Sequence, residues 1–257
     1  MYKRIEVKGF ICIIFLAIIY IIYHFLLGDI NLSYIMFILG IFLGLLFIDI
    51  FNCKSNKLMM PINKKAIYPF FYMYVILVSI LIYINVYNPR LIIIYIIIIF
   101  TLMIPFFFNI KLSYFNYKIS LSTLLYTILL FLVFLVPRIL LLGDDFLRLY
   151  IVYKGNYIAY FLDFVITFIY PAYYEELLFR GLLLSGLFGL GLNNMHSNII
   201  QSILFGILHF TLYNKIGPVG VFETSIQIML GYLLGKLYLK TNSLTPSIIF
   251  HVLLNMI

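Results

Sequence analysis

Two carboxylates and a guanidinium stand together in Tyr174-Glu175-Glu176-Leu177-Leu178-Phe179-Arg180-Gly181. Downstream, Phe205-Gly206-Ile207-Leu208-His209 adds an imidazole. His251-Val252-Leu253-Leu254-Asn255 adds a second imidazole and an amide. All three segments are otherwise apolar. Ionisable groups in such surroundings are costly and count by default as functional candidates. The set is sufficient to activate a water and to polarise a carbonyl.

Spacing divides the labour. Adjacent helical residues point about 100° apart, so Glu175 and Glu176 cannot do the same job. Glu176 and Arg180 are spaced i, i+4, share a face and suit an ion pair. Glu175 then lacks that partner and is free to face a cavity as a general base. The blander alternative places both glutamates in buried ion pairs. A lone histidine such as His209 is more often an interhelical hydrogen-bonding group than a reactive one, and Phe205 is expected to pack beside the site. His251 and Asn255 also share a face. Side by side they could present two donors to one oxygen, as an oxyanion hole requires; the alternative is a bond between helices. Asp163 precedes the glutamates on the same predicted helix and could line their cavity or hold a water. Asp49 and Glu223 fall near predicted helix ends and are expected to reach the interface. His24 and His196 lack partners at useful spacing.

These residues need helices in an apolar medium to hold them. The chain has 257 residues, 65% of them hydrophobic and only 10% charged, with mean hydropathy +1.14. A soluble domain carries roughly 25% charged residues, so the composition excludes an ordinary cytosolic globule. It predicts an all-α, polytopic transmembrane helical bundle of roughly 8–9 spans. With about 20 apolar residues per crossing, the spans fall near 9–27, 33–51, 66–87, 91–110, 119–137, 157–179, 197–213, 217–239 and 244–257. The run 9–27 is read as a retained helix, because it is longer than a signal-peptide core and no A-x-A site follows. Pro171 lacks an N–H and predicts a kink that opens the helix near Glu175. Residues 1–150 form one layer of transmembrane helices. Residues 151–257 carry nearly all the chemistry, and 138–156 is the expected linker.

The net charge of +8 reads as basic loops, and no nucleic-acid module is present. With the N-terminus inside, inner segments carry Lys3, Arg4, Lys8, Lys54, Lys57, Lys64, Lys65, Lys111, Lys118, Lys236 and Lys240. Outer segments carry Arg90, Arg138, Arg148, Lys154 and Lys215. That bias supports a cytoplasmic N-terminus. Cys12 and Cys53 form no CxxC pair and support neither a disulfide framework nor a cysteine metal site.

Taken in order, EExxxR, FxxxH and HxxxN resemble the CAAX prenyl protease type 2 and bacteriocin-processing (CPBP, Abi-type) family of intramembrane proteases. Further likeness runs through Arg180-Gly181-Leu182-Leu183 and Thr241-Asn242-Ser243-Leu244, covering about 160–257. The resemblance implies an all-helical membrane endopeptidase with a buried site open toward the cytosol. Glu175 would be the general base and His209 would help to hold the water. His251 and Asn255 would stabilise the oxyanion, with Glu176 and Arg180 supporting the site. The family is often described as metalloproteases, and Glu175, His209 and His251 could form a two-His, one-carboxylate zinc site. No HExxH helix is present, and a metal-free, glutamate-activated water is the preferred expectation. The implied partners are a peptide or membrane-protein substrate and the lipid bilayer. An Ile-, Tyr-, Asn- and Lys-rich composition fits an AT-rich bacterial genome, hence a bacterial plasma membrane. Two rival readings are a non-enzymatic bacteriocin self-immunity or scaffold protein, and a transporter. The transporter reading lacks paired broken helices in matching halves.

Overall fold

A computed structural model describes residues 32–53, 61–87, 91–142, 154–213 and 218–256. Among the described residues the fold is all-helical. In chain order the elements are α1 (Leu32–Ile50), α2 (Ile67–Tyr87), α3 (Leu91–Thr101), α4 (Ile104–Phe107), α5 (Leu121–Leu142) and α6 (Tyr157–Thr167). Then comes a continuous rod, α7, formed by Tyr174–Glu176, Leu177–Leu183 and Leu184–Gly189. The chain closes with α8 (Asn194–Tyr213), α9 (Pro218–Thr241) and α10 (Leu244–Asn255). Most of these lie within a few residues of the expected apolar spans. The expected span 9–27, with Cys12 and His24, lies outside the described residues.

Two expected spans are not single rods. The stretch 91–110 is interrupted after Thr101, and a short helix restarts with Pro105 in its first turn. The stretch 157–179 breaks at Tyr170, whose backbone is extended (φ −143°, ψ 129°) immediately before Pro171. Proline withdraws an N–H and crowds the preceding turn, so the helix predicted to kink here is cut in two. The second piece, α7, runs on to Gly189 with a π-helical middle from Leu177 to Leu183. Wide turns of this kind concentrate at functional sites.

Two described stretches, Lys64–Ile84 and Leu121–Leu140, are long and apolar enough to cross a membrane; Tyr34–Ile50, Tyr95–Phe107 and Leu244–Asn255 are shorter apolar helices. Large apolar side chains also face outward in rows. Phe71, Val75 and Ile82 do so on α2, Leu125, Leu129 and Leu132 on α5, and Phe161 and Leu162 on α6. Apolar exposure on this scale marks a surface meant for lipid or another apolar partner.

Small residues bring the helices close together. Two antiparallel pairs do this. Gly40 and Gly44 of α1 let Phe134 and Leu130 of α5 approach, and a Cβ on Gly40 would come within 2.9 Å of the Phe134 carbonyl oxygen. In the α8–α9 pair, Gly206 lies against Ile228, Gly231 against Ser202 and Phe205, and Gly235 against Asn198. The contiguous core contains Ile41 and Leu45 of α1, Phe70 and Leu77 of α2, Leu130 of α5, Phe179 of α7, Phe205 of α8, Leu233 of α9 and Phe250 of α10. The helices bearing the polar motifs therefore pack against the N-terminal ones.

Candidate active site

The break at Tyr170 starts α7 within one turn of the glutamates, placing Glu175 and Glu176 at the head of a rod sunk in the bundle. Glu175, Glu176 and Arg180 are all buried. The expected i, i+4 pair is present: Arg180 Nη1 lies 2.9 Å from Glu176 Oε1. Arg180 Nη2 donates to the Gly231 carbonyl oxygen of α9 at 2.9 Å. The guanidinium carbon sits 4.9 Å from the centre of the Phe205 ring, close enough for a cation–π contact. The arginine thus ties α7 to both α8 and α9.

Each histidine is oriented by one ring nitrogen. His209 Nδ1 lies 2.8 Å from the Phe205 carbonyl oxygen, one turn earlier on α8. A carbonyl can only accept, so this bond puts the proton of neutral His209 on Nδ1 and leaves Nε2 with a lone pair. His251 Nδ1 lies 2.9 Å from Glu176 Oε1. Ionised Glu176 likewise accepts and holds that nitrogen as N–H. The remaining nitrogens converge. Nε2 of His209 and Nε2 of His251 each lie 3.9 Å from Glu175 Oε2. At 3.9 Å these are not direct hydrogen bonds. Atoms so separated can each lie about 2.8 Å from one bridging water.

α10 is held in register at its first turn. Asn242 adopts a left-handed backbone (φ 52°) between α9 and α10, a conformation asparagine tolerates. Its carbonyl oxygen accepts from the Asn116 side chain. The Asn116 carbonyl accepts from Leu244 N at 2.9 Å, and Thr245 Oγ1 donates to the Tyr117 carbonyl at 2.6 Å. These bonds fix where α10 begins, and hence how deep His251 sits.

The structure brings Glu175, Glu176, Arg180, His209 and His251 together. Asn255 follows His251 by one helical turn and is exposed. Phe205 packs beside the site as expected, its ring centre 4.5 Å from that of His209 and 6.1 Å from that of His251. Sequence reasoning did not find the Glu176–His251 bond or the Gly231 carbonyl. The small-residue pair Gly231-xxx-Gly235 was the visible signal for a close helix contact there. Asp163 is half-buried on α6, ahead of the break. Asp49 pairs with Lys236 at the ends of α1 and α9. Glu223 is buried and bonded to the Tyr34 hydroxyl, inside the α1–α9 contact.

With this geometry in view, the sequence comparison is specific. Residues 157–257 match the family described as type II CAAX prenyl endopeptidase, Rce1-like. The resemblance read from the three motifs is therefore borne out over α6 to α10. All seven motif residues, Glu175, Glu176, Arg180, Phe205, His209, His251 and Asn255, lie inside the match, which supports a protease. Comparisons with curated proteins and with solved structures return no match.

A zinc ion does not fit the site as arranged. Ligands 2.0–2.1 Å from a tetrahedral zinc stand about 3.3 Å apart. Both Nε2 atoms here stand 3.9 Å from the carboxylate oxygen, and Glu176 is committed to Arg180 and His251. Among the described residues no group of three His, Cys, Asp or Glu side chains is set to hold a metal.

Proposed function

We propose that the chain is a membrane-embedded endopeptidase that hydrolyses a peptide bond with a water activated by Glu175. The observation that carries this reading is the convergence of Glu175 Oε2 with the Nε2 atoms of His209 and His251, while both Nδ1 atoms are occupied by fixed acceptors. A water at the common point donates one proton toward Glu175 and one hydrogen bond to His209 Nε2. Glu175 takes the proton as the water oxygen attacks the scissile carbonyl carbon. The developing oxyanion is met by His251 through Nε2 and by the Asn255 amide, while Glu176 keeps His251 Nδ1. Collapse of the tetrahedral intermediate breaks the C–N bond, and Glu175 returns its proton to the leaving amine nitrogen. His251 can serve only through Nε2, because Glu176 holds the other nitrogen. The sequence left both nitrogens open.

The setting of the reading is an integral protein of a bacterial plasma membrane, with 8–9 spans and a cytoplasmic N-terminus. Residues 1–150 act as a helical scaffold around the catalytic part, 151–257. Supporting it are the outward apolar rows on α2, α5 and α6. The Asp49–Lys236 pair and the Lys240–Asn52 bond also gather residues assigned to the inner side. The substrate is a peptide or a membrane-protein segment that enters beside the opened helix. Purified protein in detergent, incubated with a peptide library with and without chelator, tests the reading. Cleavage by the wild type and none by Glu175→Gln is the expected result. Equal product from both would overturn it.

A further inference from the structure

The two histidines are oriented by different acceptors on different helices, yet both arms lead back to one residue without a side chain. The His251 arm is a chain of hydrogen bonds. His251 Nδ1 meets Glu176 Oε1 at 2.9 Å, and the same oxygen accepts from Arg180 Nη1 at 2.9 Å. Arg180 Nη2 then donates to the Gly231 carbonyl at 2.9 Å. The His209 arm is a packing contact. His209 Nδ1 is held by the Phe205 carbonyl, and Phe205 is seated on Gly231. A Cβ on Gly231 would stand 3.1 Å from Phe205 Cδ1, 3.2 Å from Phe205 Cβ and 3.2 Å from Ser202 Cα.

We infer that Gly231 is a positioning residue that fixes both imidazoles of the site, His251 through its carbonyl and His209 through the close seat of Phe205. Its own side is braced by Gln201 of α8, whose Nε2 donates to the same Gly231 carbonyl at 2.9 Å. Phe205 has little room to yield. Its ring packs on Phe179 with centres 5.2 Å apart, on His209, and under the Arg180 guanidinium. A methyl group at 231 therefore moves α8 away from α9 by a few tenths of an ångström. That shift displaces the Phe205 carbonyl and the Gly231 carbonyl together. Catalytic geometry tolerates such displacement poorly, a 1 Å error costing on the order of 10²-fold.

This inference rests on the peptidase reading for its consequence in rate but not for its geometry, so the test reads both. The protein is labelled with ¹⁵N-histidine and observed by NMR in detergent. His24→Gln and His196→Gln backgrounds assign the four histidine signals. In the otherwise wild-type protein, His209 and His251 should both show a protonated Nδ1, which free neutral imidazole disfavours. Gly231→Ala should weaken that signature at both. Arg180→Lys keeps a cation near Glu176 but cannot bridge to the Gly231 carbonyl, and should weaken it at His251 alone. Gly40→Ala, which crowds the distant α1–α5 contact, should lower thermal stability and leave both signatures intact. Cleavage of a membrane peptide per folded molecule should fall roughly 10- to 100-fold in Gly231→Ala at unchanged KM, and should not change in Gly40→Ala. Intact Nδ1 signatures in Gly231→Ala overturn the inference. If that variant does not fold, an intact His251 signature in Arg180→Lys overturns it. Loosened histidines in a protein whose wild type cleaves nothing would sustain the positioning role and defeat the peptidase reading instead.

Discussion

Replacing Glu176 with glutamine removes the charge that Arg180 faces. Both side chains are buried, and one carboxylate oxygen lies 2.9 Å from both Arg180 Nη1 and His251 Nδ1. Deleting one member of a buried ion pair leaves the other uncompensated and costs about 3–5 kcal/mol. Arg180 would keep the Gly231 carbonyl and the Phe205 ring, and a desolvated cation–π contact is worth about 2 kcal/mol. The loss in Glu176→Gln should therefore sit near the lower end, about 3 kcal/mol, or roughly two orders of magnitude in the unfolding constant. Arg180→Leu leaves Glu176 with the His251 bond alone and should cost more, about 4–5 kcal/mol. The double variant Glu176→Gln, Arg180→Leu removes both charges. It should cost less than the two single losses together, with a coupling of about 2–3 kcal/mol, within the range seen for residues in one network. Reversible unfolding in mixed micelles, run as a double-mutant cycle, measures all three. Single variants as stable as the wild type, or strictly additive losses, would refute the pairing as a structural brace.

Asn255→Ala should slow turnover by about 10²–10³-fold with the fold intact, since one oxyanion donor is worth that much; kcat on a membrane peptide and a thermal melt check it together. His209→Gln should lower kcat while leaving the Glu176–His251 bond in place, so its melting temperature should stay near that of the wild type while the rate falls. Exhaustive chelation should leave cleavage unchanged, given the 3.9 Å separations of the would-be ligands from Glu175; loss with chelator and recovery with zinc would contradict this. Asn116→Ala removes the side-chain donor to the Asn242 carbonyl in the turn that starts α10 and should destabilise the protein by about 1–3 kcal/mol through that carbonyl left unpaired, with the His251 environment altered in the same NMR spectrum.

Much of this arrangement was readable because it is local. The i, i+4 pair of Glu176 and Arg180 follows from helical period alone, and the opening of the helix follows from Pro171. The apolar runs that became α1, α2 and α5 are little interrupted, so hydropathy located them. The interruptions were harder. Pro105 lies in a run of isoleucines and phenylalanines whose hydropathy masks the break in 91–110. The Glu176–His251 bond joins residues 75 positions apart. It depends on how α7 and α10 pack, which no periodicity encodes. The cover over Glu223 was hidden for the same reason. Position along a predicted span says where a carboxylate sits in depth, but not that Tyr34 of another helix covers it. Gly231 carries no chemistry of its own, and its importance emerges only once Phe205 and Arg180 are seen resting on it.

The most direct test of Glu175 as the base is the turnover of Glu175→Gln on a peptide that the wild type cleaves. Glutamine keeps the size and shape of the side chain but cannot take a proton from water. General-base catalysis contributes about 10²–10⁴-fold, so kcat should fall at least about 10²-fold while KM and the melting temperature stay near wild-type values. A Glu175→Gln protein that cleaves at the wild-type rate would contradict the mechanism.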